Sequence, residues 1–112
     1  MSATTTLAGV TDADFASATG PGSGLVAVDF WAQWCGPCRM MAPMIEATAR
    51  ELPTIRFLAM DTDANPATMV KLGVRSIPTT LLFKDGEVVE QIIGAASAKV
   101  YRERLVKHLG GE

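Results

Sequence analysis

One stretch constrains the fold more than any other, because it joins a strand pattern to a helix pattern with both cysteines at the junction. Residues 25–31 are apolar except for Asp29, which is typical of a strand covered on both faces in a parallel sheet. From Cys35, apolar side chains recur at helical spacing as far as Leu52, and this spacing predicts a helix with one buried face. Cys35 and Cys38 are therefore expected where a buried strand leads into a helix.

The rest of the chain alternates between strand and helix patterns. Pro43 lies inside the long helix and is expected to kink it rather than end it, since the apolar pattern continues beyond it. Asn65 and Ser97 are expected to cap the helices that follow them. The predicted strands are 5–10, 25–31, 53–60, 79–83 and 88–93, and the predicted helices are 14–18, 35–52, 66–72 and the segment after Ser97. Parallel units followed by an antiparallel hairpin predict an α/β fold with a mixed sheet and helices on both faces.

Composition narrows the class of protein. A chain of 112 residues is expected to form a single domain over residues 1–112, with residues 1–4 frayed. The net charge of −2 comes with no basic patch, so no nucleic-acid partner is expected, and no apolar run reaches the roughly 18 residues that cross a membrane. No Lys or Arg precedes Arg39, so neither a secretory signal nor a transit peptide is expected. Two cysteines are too few for a disulfide framework, and we expect a cytoplasmic protein.

The cysteine pair is compatible with three kinds of chemistry. A zinc or iron–sulfur site needs about four ligands, and the chain offers two cysteines and one histidine, His108, so metal binding is disfavoured. A cysteine nucleophile with a histidine base would need His108 nearby, but this residue is expected to be exposed near the end of the last helix. The third chemistry is thiol–disulfide exchange, which the spacing of the pair favours.

Residues three apart on a helix lie on one face with Cβ atoms about 5–6 Å apart, so a small adjustment closes a disulfide. Cys35 would lie at the helix N-terminus, where unpaired backbone N–H groups and the helix dipole stabilise a thiolate. We therefore expect Cys35 to be the nucleophile and Cys38, one turn deeper, to be the resolving thiol. Trp34 beside them offers an apolar surface that a partner can cover.

The segment Trp31-Ala32-Gln33-Trp34-Cys35-Gly36-Pro37-Cys38 resembles the active-site signature of the thioredoxin family. The resemblance extends from Thr11 to Leu109 and includes Ile77-Pro78-Thr79 at family-like spacing. It implies the thioredoxin fold, a central five-stranded mixed sheet flanked by four helices, with a cis peptide bond before Pro78. It also implies a shallow, apolar docking surface for an extended substrate segment. That surface would comprise Trp34, Gly36, Pro37, Ile77, Pro78, Gly94 and Ala95.

The resemblance implies a general protein-disulfide reductase that works by dithiol/disulfide exchange. It further implies a monomer that binds no cofactor and is recycled by thioredoxin reductase, an enzyme that uses a flavin and NADPH. Two alternatives stay open. An oxidase or isomerase would run the same exchange in the opposite direction, although Gly36-Pro37 is associated with reducing members. A binding module would use the docking surface without turnover, although the intact dithiol argues against an exclusively binding role.

Asp29 is the anomaly within the buried strand. A buried carboxylate is costly unless it is paired or protonated, and burial raises its pKa. One interpretation is a hydrogen-bonded structural residue; the other, supported by the resemblance, is a proton acceptor for Cys38. Many family members carry a lysine that faces this position from the neighbouring strand, and the matching residue here is Ala59. We therefore expect Asp29 to be easier to protonate than its counterpart in those members.

Overall fold

The computed structural model describes residues 5–110, which form a five-stranded sheet with four helices. The strands are β1 (Ala8–Gly9), β2 (Leu25–Trp31), β3 (Arg56–Asp61), β4 (Thr79–Lys84) and β5 (Glu87–Ile93). The helices are α1 (Phe15–Thr19), α2 (Gly36–Glu51), α3 (Pro66–Leu72) and α4 (Ala98–Val106). The predicted α/β fold, a mixed sheet flanked by four helices, is confirmed.

Strand β2 lies at the centre of the sheet, whose strand order is β1-β3-β2-β4-β5. It runs parallel to β3 and antiparallel to β4, with Asp29 opposite Ala59 on one side and Thr80 on the other. Its interior residues are all buried, as the nearly unbroken apolar run predicted. The edge strand β1 has only two residues, fewer than predicted, and pairs with β3 at Leu58 and Ala59.

Two apolar clusters fill the space on the two sides of the sheet. The first lies against α2 and α4 and includes Ala27, Ile45, Leu82, Tyr101 and Leu105. The second lies against α1 and α3 and includes Val28, Phe30, Leu58, Leu81 and Phe83. Because side chains alternate along a strand, Asp29 shares the side of Ala27. The buried carboxyl group therefore lies on the side of the sheet that α2 and α4 cover.

Tyr101 anchors α4 in the first cluster. Its side chain is fully buried, and its hydroxyl forms a 2.8 Å hydrogen bond with the hydroxyl of Thr80 on β4. A Tyr101→Phe variant is expected to lower the free energy of unfolding by about 1–2 kcal/mol, because the buried Thr80 hydroxyl loses this partner. Urea denaturation followed by circular dichroism measures the loss. The double variant with Thr80→Val is expected to regain part of it, whereas strictly additive losses would contradict the pairing.

The two predicted helix caps have different outcomes. The Ser97 hydroxyl accepts a 3.2 Å hydrogen bond from the backbone three residues later, which confirms the cap of α4. Asn65 occupies the N-cap position of α3 and Pro66 begins the helix, as predicted, but the side chain of Asn65 makes no hydrogen bond that caps it. The carboxylate of Asp12 caps α3 instead, accepting hydrogen bonds from the backbone N–H groups of Ala67 (3.1 Å) and Thr68 (2.8 Å). Asn65 orients this cap, because its side-chain oxygen accepts a 2.9 Å hydrogen bond from the N–H of Asp12.

His108 is not the exposed residue that the sequence predicted. It is partly buried, and its Nε2 lies 2.8 Å from Oε1 of Glu90, a buried residue of β5. Arg104 and Lys107 contact the same carboxylate. Burial acts to raise the pKa of Glu90. Hydrogen bonds from His108, Arg104 and Lys107 outweigh this effect and hold the pKa of Glu90 at about 2. The imidazole of His108 is therefore engaged by Glu90 and not by a cysteine.

Candidate active site

The two cysteines form a disulfide at the N-terminus of α2. Strand β2 ends at Trp31, and a turn closed by a 3.1 Å hydrogen bond from the N–H of Cys35 to the carbonyl of Ala32 leads into the helix. Cys35 is the N-cap residue, and its Sγ accepts a 3.2 Å hydrogen bond from the backbone N–H of Cys38. The Cα atoms of the pair are 5.3 Å apart, which is usual for a disulfide. The predicted strand–helix junction therefore carries a closed redox pair.

Position in the helix, rather than burial, distinguishes the two cysteines. Both are 4% exposed, but Cys35 is the N-cap residue and Cys38 lies one turn further into the helix, as expected. The Sγ of Cys35 faces the free N–H groups of the helix terminus, where negative charge is stabilised. Cys38 lies inside the first turn and supplies one of those N–H groups. The local electrostatics therefore favour a thiolate at Cys35.

The loop before β4 packs against the disulfide. The Ile77–Pro78 peptide bond is cis, as the resemblance implied. The side chain of Ile77 contacts the small apolar cluster that contains both cysteines. The N–H of Gly94 donates a 2.8 Å hydrogen bond to the carbonyl of Pro78, and its φ of 81° is one that glycine adopts without strain. Three of the predicted docking residues are therefore joined by contact or hydrogen bond next to the redox pair.

The other predicted docking residues lie near the start of α2 and after β5. Trp34 is 68% exposed in the turn before the disulfide. Pro37 and Ala95 are both exposed and line one shallow groove, and Gly36 is partly exposed. Exposed apolar side chains around a reactive pair give a partner protein surface to desolvate.

Two methionines of α2 were not among the residues predicted from the sequence. Met40 is 82% exposed and Met44 is partly buried, and both line the groove of Pro37 and Ala95. A signal for them was present, because Met40, Met41 and Met44 lie within five positions of one another. Methionine is unbranched and polarisable, and it suits surfaces that accept varied apolar partners.

The carboxyl group of Asp29 is buried and incompletely hydrogen-bonded. The residue is 4% exposed, and its Oδ1 has no hydrogen-bond partner among the residues that the structure describes. Its register partner on β3 is Ala59, so the position that faces it carries a methyl group and no charge. Burial raises the pKa of Asp29 to about 7. Burial also raises the pKa of Tyr101, on the same side of the sheet, and the charge of Asp29 raises it further.

Ala59→Lys tests whether the missing cation sets the protonation of Asp29. An ammonium group on the neighbouring strand favours the ionised carboxylate, so the pKa of Asp29 is expected to fall by about 1–3 units. Carbon-13 NMR of the carboxyl group against pH measures it directly. Arg56→Ala on the same strand, a change at an exposed position, is expected to leave the Asp29 titration in place. An unmoved titration in Ala59→Lys would show that its ammonium group turns away from Asp29.

Two negative findings concern the part of the chain that the structure describes. Among residues 5–110, no group of three or more His, Cys, Asp or Glu side chains is arranged to hold a metal ion. Within the same range, every helix is too short or too polar to cross a membrane.

Comparison with known proteins supplies the family. The thioredoxin family model matches residues 6–107. The chain belongs to the thioredoxin family. It is 49% identical to the thioredoxin of Chlamydia muridarum over 86 residues, and this alignment covers 77% of this chain and 84% of that protein. It is 43% identical to thioredoxin 1 of Synechococcus elongatus over 103 residues (91% and 96% covered) and 46% identical to a Staphylococcus aureus thioredoxin over 101 residues (89% and 95%).

Thioredoxin family membership confirms the predicted fold and the predicted class of function. The Cys35–Cys38 disulfide stands at the spacing of the family active site. The chain is a protein-disulfide reductase that works by dithiol/disulfide exchange. Its redox group is the cysteine pair itself. In general terms, its partners are disulfide-containing proteins and a reductase that returns it to the dithiol state.

Proposed function

We propose that this thioredoxin-family chain is a general reductant of protein disulfides in which Cys35 attacks and Cys38 resolves. The observation that carries the proposal is the 3.2 Å hydrogen bond from the N–H of Cys38 to Sγ of Cys35 at the N-terminus of α2. After reduction, the same N–H group and the helix dipole stabilise a thiolate on Cys35. The thiolate is the attacking species in exchange, so Cys35 reacts first.

The exchange consists of two displacements. The Cys35 thiolate attacks one sulfur of the substrate disulfide; a bond forms to that sulfur, the substrate disulfide breaks, and its second sulfur leaves as a thiolate. Cys38 then gives up its proton and attacks Sγ of Cys35. The Cys35–Cys38 disulfide forms, the mixed disulfide breaks, and the remaining substrate thiolate leaves. Two electrons have passed from the protein to the substrate.

Asp29 is proposed to accept the proton that Cys38 gives up. The carboxyl group lies on the side of the sheet covered by α2, the helix that carries Cys38. Its pKa of about 7 allows it to take up and release a proton near neutral pH, as a general base must. Its unpartnered Oδ1 leaves a lone pair free for that proton.

The docking surface is proposed to hold an extended substrate segment across the cysteine pair. Contact between Ile77 and the cysteines, and the hydrogen bond between Gly94 and Pro78, support this role. The exposed indole of Trp34, next to Cys35 in the sequence, also supports it. The surface comprises Trp34, Gly36, Pro37, Ile77, Pro78, Gly94 and Ala95.

We further propose that the chain acts as a monomeric single domain over residues 1–112 in the cytoplasm. A flavin- and NADPH-dependent thioredoxin reductase is proposed to recycle it. Similarity to bacterial proteins named thioredoxin, at 43–49% identity, supports this setting.

Insulin reduction tests the proposed function. With dithiothreitol as the electron donor, the protein is expected to accelerate insulin precipitation, and with NADPH it is expected to do so only when a bacterial thioredoxin reductase is added. A Cys35→Ser/Cys38→Ser variant serves as the control and is expected to have no effect. Failure with both donors would refute the reductase function, and failure with NADPH alone would refute the proposed recycling partner.

A further inference from the structure

A groove runs along α2 beside the disulfide. It is formed by the first turns of α2, the loop after β5 and the start of α4, and its volume is about 420 Å³. Every lining residue is apolar. The lining includes Pro37, Met40, Met44, Ala95, Ala96 and Ala98. We name it the methionine groove.

The methionine groove is continuous with the proposed docking surface. Pro37 and Ala95 belong to both, so a chain that crosses the cysteine pair passes the mouth of the groove. Met40 lines the groove and is 82% exposed, while Met41, which also lines it, is 6% exposed and packs in the core cluster. An exposed methionine beside other apolar side chains is surface that an apolar group can desolvate.

We propose that the methionine groove binds one large apolar side chain of the disulfide substrate, two to three residues from the cysteine that is attacked. The inference rests on the proposed reductase function and docking surface. Met40 lies five residues beyond Cys35, and a helix rises about 1.5 Å per residue, so the groove is centred roughly 7–8 Å along α2. An extended chain advances about 3.3 Å per residue, so two to three residues span that distance.

The chemistry of the lining defines what the groove accepts. No charged or hydrogen-bonding side chain lines it, so a charged substrate side chain would lose hydration there without compensation. Its volume of about 420 Å³ leaves room for one large apolar side chain. Of the three methionines in the lining, Met40 and Met44 are outside the fully buried core, and their flexible side chains adapt to leucine, methionine or phenylalanine alike. The groove therefore selects substrate segments by apolar size and not by identity.

Short peptides with one cysteine disulfide-bonded to thionitrobenzoate test the inference. Attack on the peptide sulfur releases the coloured thiolate, which reports the rate. One series carries leucine, and a matched series carries serine, at the second or third position on either side of the cysteine. Each rate is divided by the rate with dithiothreitol, which removes intrinsic differences in reactivity. The reduced wild-type protein is expected to prefer the leucine peptides by about tenfold in kcat/KM, because the groove is open on one side and desolvates part of the side chain.

Variants of the groove locate this preference. Met40→Gln keeps the length of the side chain but removes its apolar character, and it is expected to lower the leucine-over-serine ratio to about twofold. Ala98→Phe fills the groove and is expected to lower the ratio similarly. Val70→Gln is the matched control: Val70 is 79% exposed on α3, outside the groove, and this variant is expected to keep the wild-type ratio.

These outcomes distinguish side-chain binding in the methionine groove from the reductase function. Equal wild-type rates for leucine and serine peptides, with normal insulin reduction, would overturn the methionine groove and leave the reductase intact. A leucine preference that persists in Met40→Gln and Ala98→Phe would overturn it as well, because another surface would then bind the side chain. Loss of all peptide and insulin reduction in the wild type would refute the reductase function itself.

Discussion

A Cys38→Ser variant is expected to accumulate a covalent complex with its substrate, and a Cys35→Ser variant is expected to form none. In the first variant the Cys35 thiolate still attacks, but no thiol is left to displace the substrate from the mixed disulfide. In the second variant the helix N-terminus holds a hydroxyl, which does not attack a disulfide at neutral pH. Turnover of insulin is expected to fall by a factor of at least about 10³ in both, since exchange requires the thiolate.

Non-reducing electrophoresis and mass spectrometry of each variant with insulin measure the complex. Dithiothreitol should release the substrate from the Cys38→Ser complex, which distinguishes a disulfide from other adducts. Both substitutions replace sulfur with oxygen at positions that are equally buried, so each variant serves as the control for the other. Equal trapping by the two variants would reverse or remove the assignment of Cys35 as the nucleophile.

An Asp29→Asn variant is expected to be more stable than the wild type at pH 8 but not at pH 3. Burial raises the pKa of Asp29 from an ordinary value of 3.8 to about 7. Below the lower value both the folded and the unfolded chain hold the proton, and the group has no effect on stability. Between the two values only the unfolded chain releases it, so stability falls as the pH rises. Above pH 7 the loss of folding stability is complete and on the order of 4 kcal/mol. The amide of asparagine does not ionise, so the Asp29→Asn variant avoids this loss.

Urea denaturation of the oxidised protein from pH 3 to pH 8 measures this difference. The free energy of unfolding of Asp29→Asn is expected to exceed that of the wild type by about 2–4 kcal/mol at pH 8. Burying the polar amide of asparagine has a cost of its own, which offsets part of the gain. Asp63→Asn removes a carboxylate at an exposed position and is expected to change stability by less than about 0.5 kcal/mol at either pH. An equal gain at pH 3 and pH 8 would show that packing, not ionisation, is responsible.

The same Asp29→Asn variant tests the proposed proton acceptor. Resolution of a preformed mixed disulfide is expected to slow by at least about tenfold at pH 7, because general-base assistance is lost. Rapid-quench measurements from pH 6 to pH 9 follow this step apart from the initial attack. Unchanged resolution across this range would remove Asp29 from the mechanism while leaving its effect on stability intact.

Elements with a strong periodic pattern were predictable from the sequence. Strand β2 was predicted with its observed bounds, because a strand buried on both faces leaves an almost continuous apolar run. Helix α2 was predicted within one residue at each end, since one apolar face repeats along it past Pro43. The cap of α3 was not predictable, because its acceptor, Asp12, comes from a distant part of the chain.

The candidate site was predictable where its parts are adjacent in sequence. The cysteine pair and its helix-terminal position follow from local spacing, and the disulfide confirms the pairing. The cis bond before Pro78 came from family resemblance, since most such bonds are trans. The methionine groove was not predictable, because its second side is the loop after β5, more than forty residues beyond the end of α2. The role of His108 was missed for the same reason, since its partner Glu90 lies on another element.

The capping of α3 by Asp12 has a consequence for the order in which the chain is built. A ribosome makes the acceptor 55 residues before the N–H group of Ala67 that it binds. The carboxylate that caps the first turn of α3 is therefore already synthesised when the helix emerges, so the helix can be capped as it is made. A circular permutant that begins just after Asp12 reverses this order. Its α3 would then leave the ribosome with its first turn uncapped and would wait for the last part of the chain.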